Sequence, residues 1–111
     1  MRQGLSTGAT ARTSTDRPVR EEVERRWRDR GFTCELWVDP PETIWEDFVH
    51  DTDELVLLLD GQVTIEIAGR ILRIEVGQEV MLPAGVRHTV RNVGGTSARW
   101  LYGYRIPGFT G

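Results

Sequence analysis

The chain has 111 residues, a formal net charge of −3 and a single cysteine, Cys34. That length suits one domain with one core, and the weakly acidic balance leaves no electrostatic footprint for nucleic acid or an anionic membrane. All the basic residues are arginine, which removes lysine Schiff-base chemistry and a P-loop, and one cysteine excludes an internal disulfide or a thiolate metal cluster. No stretch approaches the ~18 apolar residues of a membrane span, and no apolar signal-peptide segment is visible. The expectation is a cytoplasmic protein.

Residues 1–17 are rich in Ser, Thr, Gly and Ala and read as a mobile tail. The domain is expected at 18–111, beginning with a helix over 18–30. Pro18 suits a first turn, Glu21 and Glu22 the positive end, Arg28 and Arg30 the negative end, and Gly31 the stop. Val19, Val23 and Trp27 form a narrow apolar stripe, so this helix lies on a surface.

From Phe32 the period changes to two. Phe32, Cys34, Leu36 and Val38 alternate with Thr33, Glu35, Trp37 and Asp39, which predicts a half-buried strand ended by Pro40-Pro41. Cys34 reads there as a small buried hydrophobe. Thr43–His50 alternates again, with Ile44, Glu46, Phe48 and His50 on one face and Trp45 on the other. Glu54–Leu59 is nearly all apolar, so it is expected to be covered on both faces. Asp60-Gly61 predicts a tight hairpin. Further strands follow at Gln62–Ala68, Ile71–Val76, Val80–Leu82, His88–Val93 and Ala98–Ile106, separated by Gly and Pro turns. Short strands at this spacing predict an all-β sandwich or barrel.

Both histidines of the chain fall in this region, at His50 and His88. Imidazole is the commonest neutral metal ligand, and two histidines with one glutamate on neighbouring strands make an open facial triad. The competing reading is two ordinary polar residues at strand ends.

These residues also carry a resemblance. Gly77, Pro83, Gly85, His88 and Asn92 match every fixed position of the second cupin motif, G-x5-P-x-G-x2-H-x3-N. The first motif, G-x5-H-x-H-x3,4-E-x6-G, is matched in its second half by His50, Glu54 and Gly61; Glu42 and Phe48 stand at its opening glycine and first histidine. The chain resembles a small cupin over roughly Thr43–Tyr104. The resemblance implies a double-stranded β-helix, a cupin-type jelly-roll barrel with one N-terminal helix. It further implies one divalent transition metal (Zn, Fe, Mn or Ni) held by His50, Glu54 and His88, with Phe48 where a fourth ligand would stand.

Phe48 shares a face with His50, so the lumen also reads as a small-ligand pocket with an aromatic wall. Glu46 is the nearby carboxylate, expected at the rim, and Arg87 is placed to meet an anionic ligand or simply solvent. Trp45 is expected on the outer face. Trp100, Tyr102 and Tyr104 share one face, expected in the core or at a subunit interface, and a two-fold homodimer is expected from that face and from open sheet edges. Asn92 is expected to satisfy backbone groups. Two function classes stay open: a metal-dependent enzyme acting on a small molecule, and a metal-free binding or sensing module. Neither substrate nor reaction is legible.

Overall fold

The computed structural model describes residues 8–108. Helix α1 (Gly8–Asp29) precedes eight strands: β1 (Glu35–Asp39), β2 (Ile44–Phe48), β3 (Glu54–Asp60), β4 (Val63–Ile67), β5 (Arg70–Ile74), β6 (Glu79–Leu82), β7 (His88–Asn92) and β8 (Ala98–Tyr104). They form two four-stranded sheets, ordered β1-β8-β3-β6 and β2-β7-β4-β5, with every strand pair antiparallel. This is the all-β architecture that the strand periodicity predicts, in the jelly-roll form with one N-terminal helix that the resemblance implies.

The helix starts at Gly8 rather than at Pro18. Ala9, Ala11 and Arg12 are good helix formers, and Pro18 removes one N–H donor without ending the helix. Of the expected tail, 1–7 lies outside the described residues. The C-terminus falls where Gly31 placed it. Gly31 takes φ 86°, its N–H donates to the Arg28 carbonyl at 3.0 Å, and the Phe32 N–H donates to the Trp27 carbonyl at 2.8 Å. Those two bonds satisfy carbonyls the helix would otherwise leave open.

Strand β3 divides the protein's apolar interior in two. Its outward side chains Leu55, Leu57 and Leu59 pack with Phe32, Cys34 and Leu101 beneath Val23 and Trp27 of α1. Val19, the third residue of the expected stripe, is 40% exposed. Trp27 Nε1 donates to Glu79 Oε1 at 2.9 Å, and Arg30 pairs with the same carboxylate, so helix and barrel are joined at one point on β6. The inward side chains Val56 and Leu58 pack with Val63, Ile65, Ile74, Leu82, Val90 and Trp100 in the lumen. Coverage on both faces explains the unbroken apolar run.

Two expectations are corrected. Asp60-Gly61 does not close a hairpin, because β3 and β4 lie in different sheets. Gly61 instead lets the chain pass β8: a Cβ there would stand 2.8 Å from the Ala98 Cα. The tight hairpin is at Ala68-Gly69, between paired Ile67 and Arg70, with both φ values positive. Trp45 points inward rather than outward. Trp45 pairs with Val90 and Phe48 with His88, so β2 carries an extra residue between them, and such a bulge reverses the alternation. Trp100, Tyr102 and Tyr104, expected in the core or at a subunit interface, face the lumen.

Candidate metal centre

The mouth of the barrel is built from the ends of β2, β3 and β7. Glu54 opens β3 on its inward face and pairs in register with Leu82 and Tyr104. His88 opens β7 opposite Phe48. His50 lies just past β2, and its carbonyl accepts the Gly85 N–H at 2.9 Å, which draws the Pro83–Gly85 turn against it. Asp53 holds that turn from the other side. It accepts the Ala84 N–H at 2.8 Å and an Arg105 N–H at 2.7 Å, and these bonds hold its carboxyl below the usual range. In the sequence Asp53 shows only as turn material.

The three polar side chains converge. His50 Nε2 lies 3.2 Å and His88 Nε2 3.9 Å from Glu54 Oε1, and one ligand atom from each residue lies within 4.8 Å of the others. Glu54 and His88 are buried and His50 is partly buried. The His50–Glu54 contact is close, yet its angles do not make a hydrogen bond, and Glu54 Oε1 is a buried oxygen with no hydrogen-bond partner. Burial raises the Glu54 carboxyl from 4.5 to about 7. Burial, and secondarily the neighbouring His88, lowers His50 below its ordinary value. His88 Nδ1 lies 3.3 Å from the Val86 carbonyl; an Nδ1–H donated there leaves the Nε2 lone pair facing Glu54.

An unpartnered carboxylate oxygen beside two imidazole nitrogens fits a divalent transition metal: the donors are of the right type, deprotonated or readily so, and share one point. Phe48 contributes a ring, stacked 5.8 Å from His50 at an interplanar angle of 10°, where the second half of the motif is preserved and the first is not.

Beyond this centre lies a cavity of ≈ 190 Å³. Its walls are mostly aromatic: Trp37, Trp45, Phe48, Trp100, Tyr102 and Tyr104, with the two histidines and Glu54 as its polar groups. Tyr104 sits edge-on to His50 at 5.1 Å, and burial, helped by Glu54, pushes its phenol up to about 12. Glu46 and Arg87 are not part of this cavity. Both are exposed and line a separate surface groove with Glu66 and Arg91. Asn92 has the expected structural role: its Nδ2 donates to the carbonyls of Asp39, Pro40 and Thr96, and its Oδ1 accepts the Gly94 N–H. Cys34 is buried on the far side of the sheet, its thiol pushed up to about 11 by burial.

Two antiparallel sheets closed into a jelly roll, with a His–Glu–His group at one mouth, define a cupin-type barrel. The chain belongs to the cupin family: the family model described as Cupin domain matches residues 35–104. It is 30% identical over 72 residues to the polyketide synthase CurC of Streptomyces cyaneus, covering 65% of this chain and 47% of that protein. It is 25% identical over 72 residues to the tetracenomycin polyketide synthase protein TcmJ of Streptomyces glaucescens, covering 65% and 48%. The chain thus spans about half the length of the curated relatives it matches. Among solved structures it is similar in fold to a cupin 2 conserved barrel domain protein from Salinispora arenicola, with a TM-score of 0.62 at 21% identity over 69% of this chain and 65% of that one. No helix among the described residues is long and apolar enough to cross a membrane.

Proposed function

We propose that His50, Glu54 and His88 hold one divalent transition metal ion at the mouth of the barrel, and that the aromatic cavity beside it binds a small-molecule substrate. The observation that carries this reading is the buried Glu54 Oε1, which has no hydrogen-bond partner although two imidazole Nε2 atoms lie within 3.9 Å. Leaving a buried carboxylate oxygen unsatisfied is costly, and a bound cation removes that cost. The ion would act as a Lewis acid or redox centre toward a substrate oxygen. Around it, Phe48 and Tyr104 pack against the His50 ring, and the Val86 carbonyl orients the His88 imidazole. The two Streptomyces relatives are polyketide synthase proteins, which supports an enzyme acting on a small organic molecule.

Phe48 favours a second reading. A ring at the fourth ligand position and an otherwise aromatic wall suit a metal-free binding module using the same cavity. Elemental analysis of protein purified without a histidine tag separates the two. The metal reading expects close to one equivalent of Zn, Fe, Mn or Ni in the native chain and none in His88→Ala. Metal content unchanged by His88→Ala would place any bound ion elsewhere, and metal-free protein that resists reconstitution would favour the binding module.

A further inference from the structure

The strands that wall the cavity meet at one buried side chain the metal site does not use. Asp39, at the end of β1, is only 2% exposed. Its Oδ1 accepts the indole N–H of Trp37 at 2.6 Å and of Trp45 at 3.0 Å, and its Oδ2 accepts that of Trp100 at 3.0 Å. These indoles come from β1, β2 and β8, so one carboxylate ties the two sheets together across the lumen. Its backbone is fixed as well, since Asn92 Nδ2 donates to the Asp39 carbonyl.

An indole has one polar atom, and that atom is a donor only. With the three N–H groups turned to Asp39, Trp37, Trp45 and Trp100 offer the cavity only ring faces and C–H edges. A cavity of ≈ 190 Å³ lies below the ~300–1,000 Å³ of drug-sized sites and suits one or two fused rings.

We infer that Asp39 is a positioning residue that sets the ligand preference of the cavity: by holding three indoles through their N–H groups it fixes a stacking wall that selects a flat aromatic ring system over a puckered one. This rests on the reading of the cavity as the binding site, but not on the metal.

The test compares 2-naphthol with decahydro-2-naphthol, which share a carbon skeleton and a hydroxyl but differ in planarity. Calorimetric titration of the full chain is expected to favour 2-naphthol by about tenfold. Asp39→Asn keeps the volume but puts a donor against an indole N–H. It is expected to remove that preference, leave decahydro-2-naphthol binding unchanged, and leave metal content unchanged. A structural role alone would lower the melting temperature without moving the preference. In the indole region of a 1H–15N spectrum, the signals of Trp37, Trp45 and Trp100 should shift in Asp39→Asn, while that of Trp27, bonded to Glu79, should stay. Should Asp39→Asn not fold, Trp45→Phe keeps a ring without its N–H and is expected to lose part of the preference. Equal binding of both probes, no binding of either, or full preference retained in a folded Asp39→Asn or Trp45→Phe would overturn the inference. Wild-type protein that shows the preference but binds no metal would break only the metal reading.

Discussion

The two faces of β3 use the same chemistry for different ends. On the outer face Leu55, Leu57 and Leu59 lie under α1, and the one indole there, Trp27, bonds to Glu79 and joins helix to barrel. On the inner face Val56 and Leu58 continue into a core that opens toward Glu54, where three further indoles bond to Asp39 around a cavity. Outside, indole and carboxylate close a packed layer. Inside, they leave space and one unsatisfied oxygen. The outer face is organised for stability, and the inner face gives some stability up to hold a site.

Trp27→Ala should break the outer face most severely. Trp27 is fully buried, and loss of a core tryptophan costs about 3–5 kcal/mol. Denaturant unfolding should show that loss, while metal bound per folded molecule stays the same. A change in metal stoichiometry would mean that the two faces are not independent.

Glu54→Gln should act in the opposite direction. Burial raises the Glu54 carboxyl from 4.5 to about 7, so the folded state holds a proton that the unfolded chain has released. Below about pH 4.5 both states are protonated and nothing is lost. As pH rises toward 7 the metal-free protein loses stability, by on the order of 3 kcal/mol at most, and the loss levels off above that. Glu54→Gln should remove this pH dependence, making the metal-free variant more stable than wild type at pH 8, and should abolish metal binding. In the wild type, metal affinity should rise with pH up to about 7, because the ion displaces the same proton. His50, held below its ordinary value, contributes the opposite slope in the same window, so the test is the difference between the two proteins: a metal-free Glu54→Gln whose stability follows pH as the wild type does would contradict this account of Glu54.

Phe48→His is the smallest of the three changes. Phe48 stacks on His50, and a third imidazole there adds a donor to the set. Titration with zinc should show tighter binding, by at least the ~10–100-fold that outer-shell partners carry. Unchanged affinity would place the new imidazole outside the reach of the ion.

Much of this was legible in the sequence, because the side-chain period of a strand is two and the chain keeps it. The alternation and the Gly and Pro turns gave eight strands, and the doubly apolar Glu54–Leu59 run marked the strand covered on both sides. The resemblance to the cupin motifs singled out His50, Glu54 and His88, and the structure brings them within 4.8 Å of one another. What alternation cannot show is where it slips. The bulge between Trp45 and Phe48 turned Trp45 inward against its parity. Strand pairing is equally invisible locally, so Asp60-Gly61 read as a hairpin although β3 pairs with β6 and β8. Period two assigned Trp100, Tyr102 and Tyr104 to one face without saying which side that face took. An aspartate before Pro40-Pro41 reads as the end of a strand, so the local pattern does not mark Asp39. The available signal was its shared face with Trp37, a donor two residues away. Glu46 and Arg87 neighbour pocket residues in sequence, which points to the rim, yet both are exposed and line a separate surface groove.

The central claim is that Glu54 Oε1 and the two imidazole Nε2 atoms share one ion. Crystals of the untagged protein, measured at the absorption edge of the metal found by elemental analysis, test it directly. The account predicts one anomalous peak at ~2.0–2.2 Å from His50 Nε2, His88 Nε2 and a Glu54 oxygen. A fully metal-loaded protein whose anomalous peak lies away from these three atoms would contradict it.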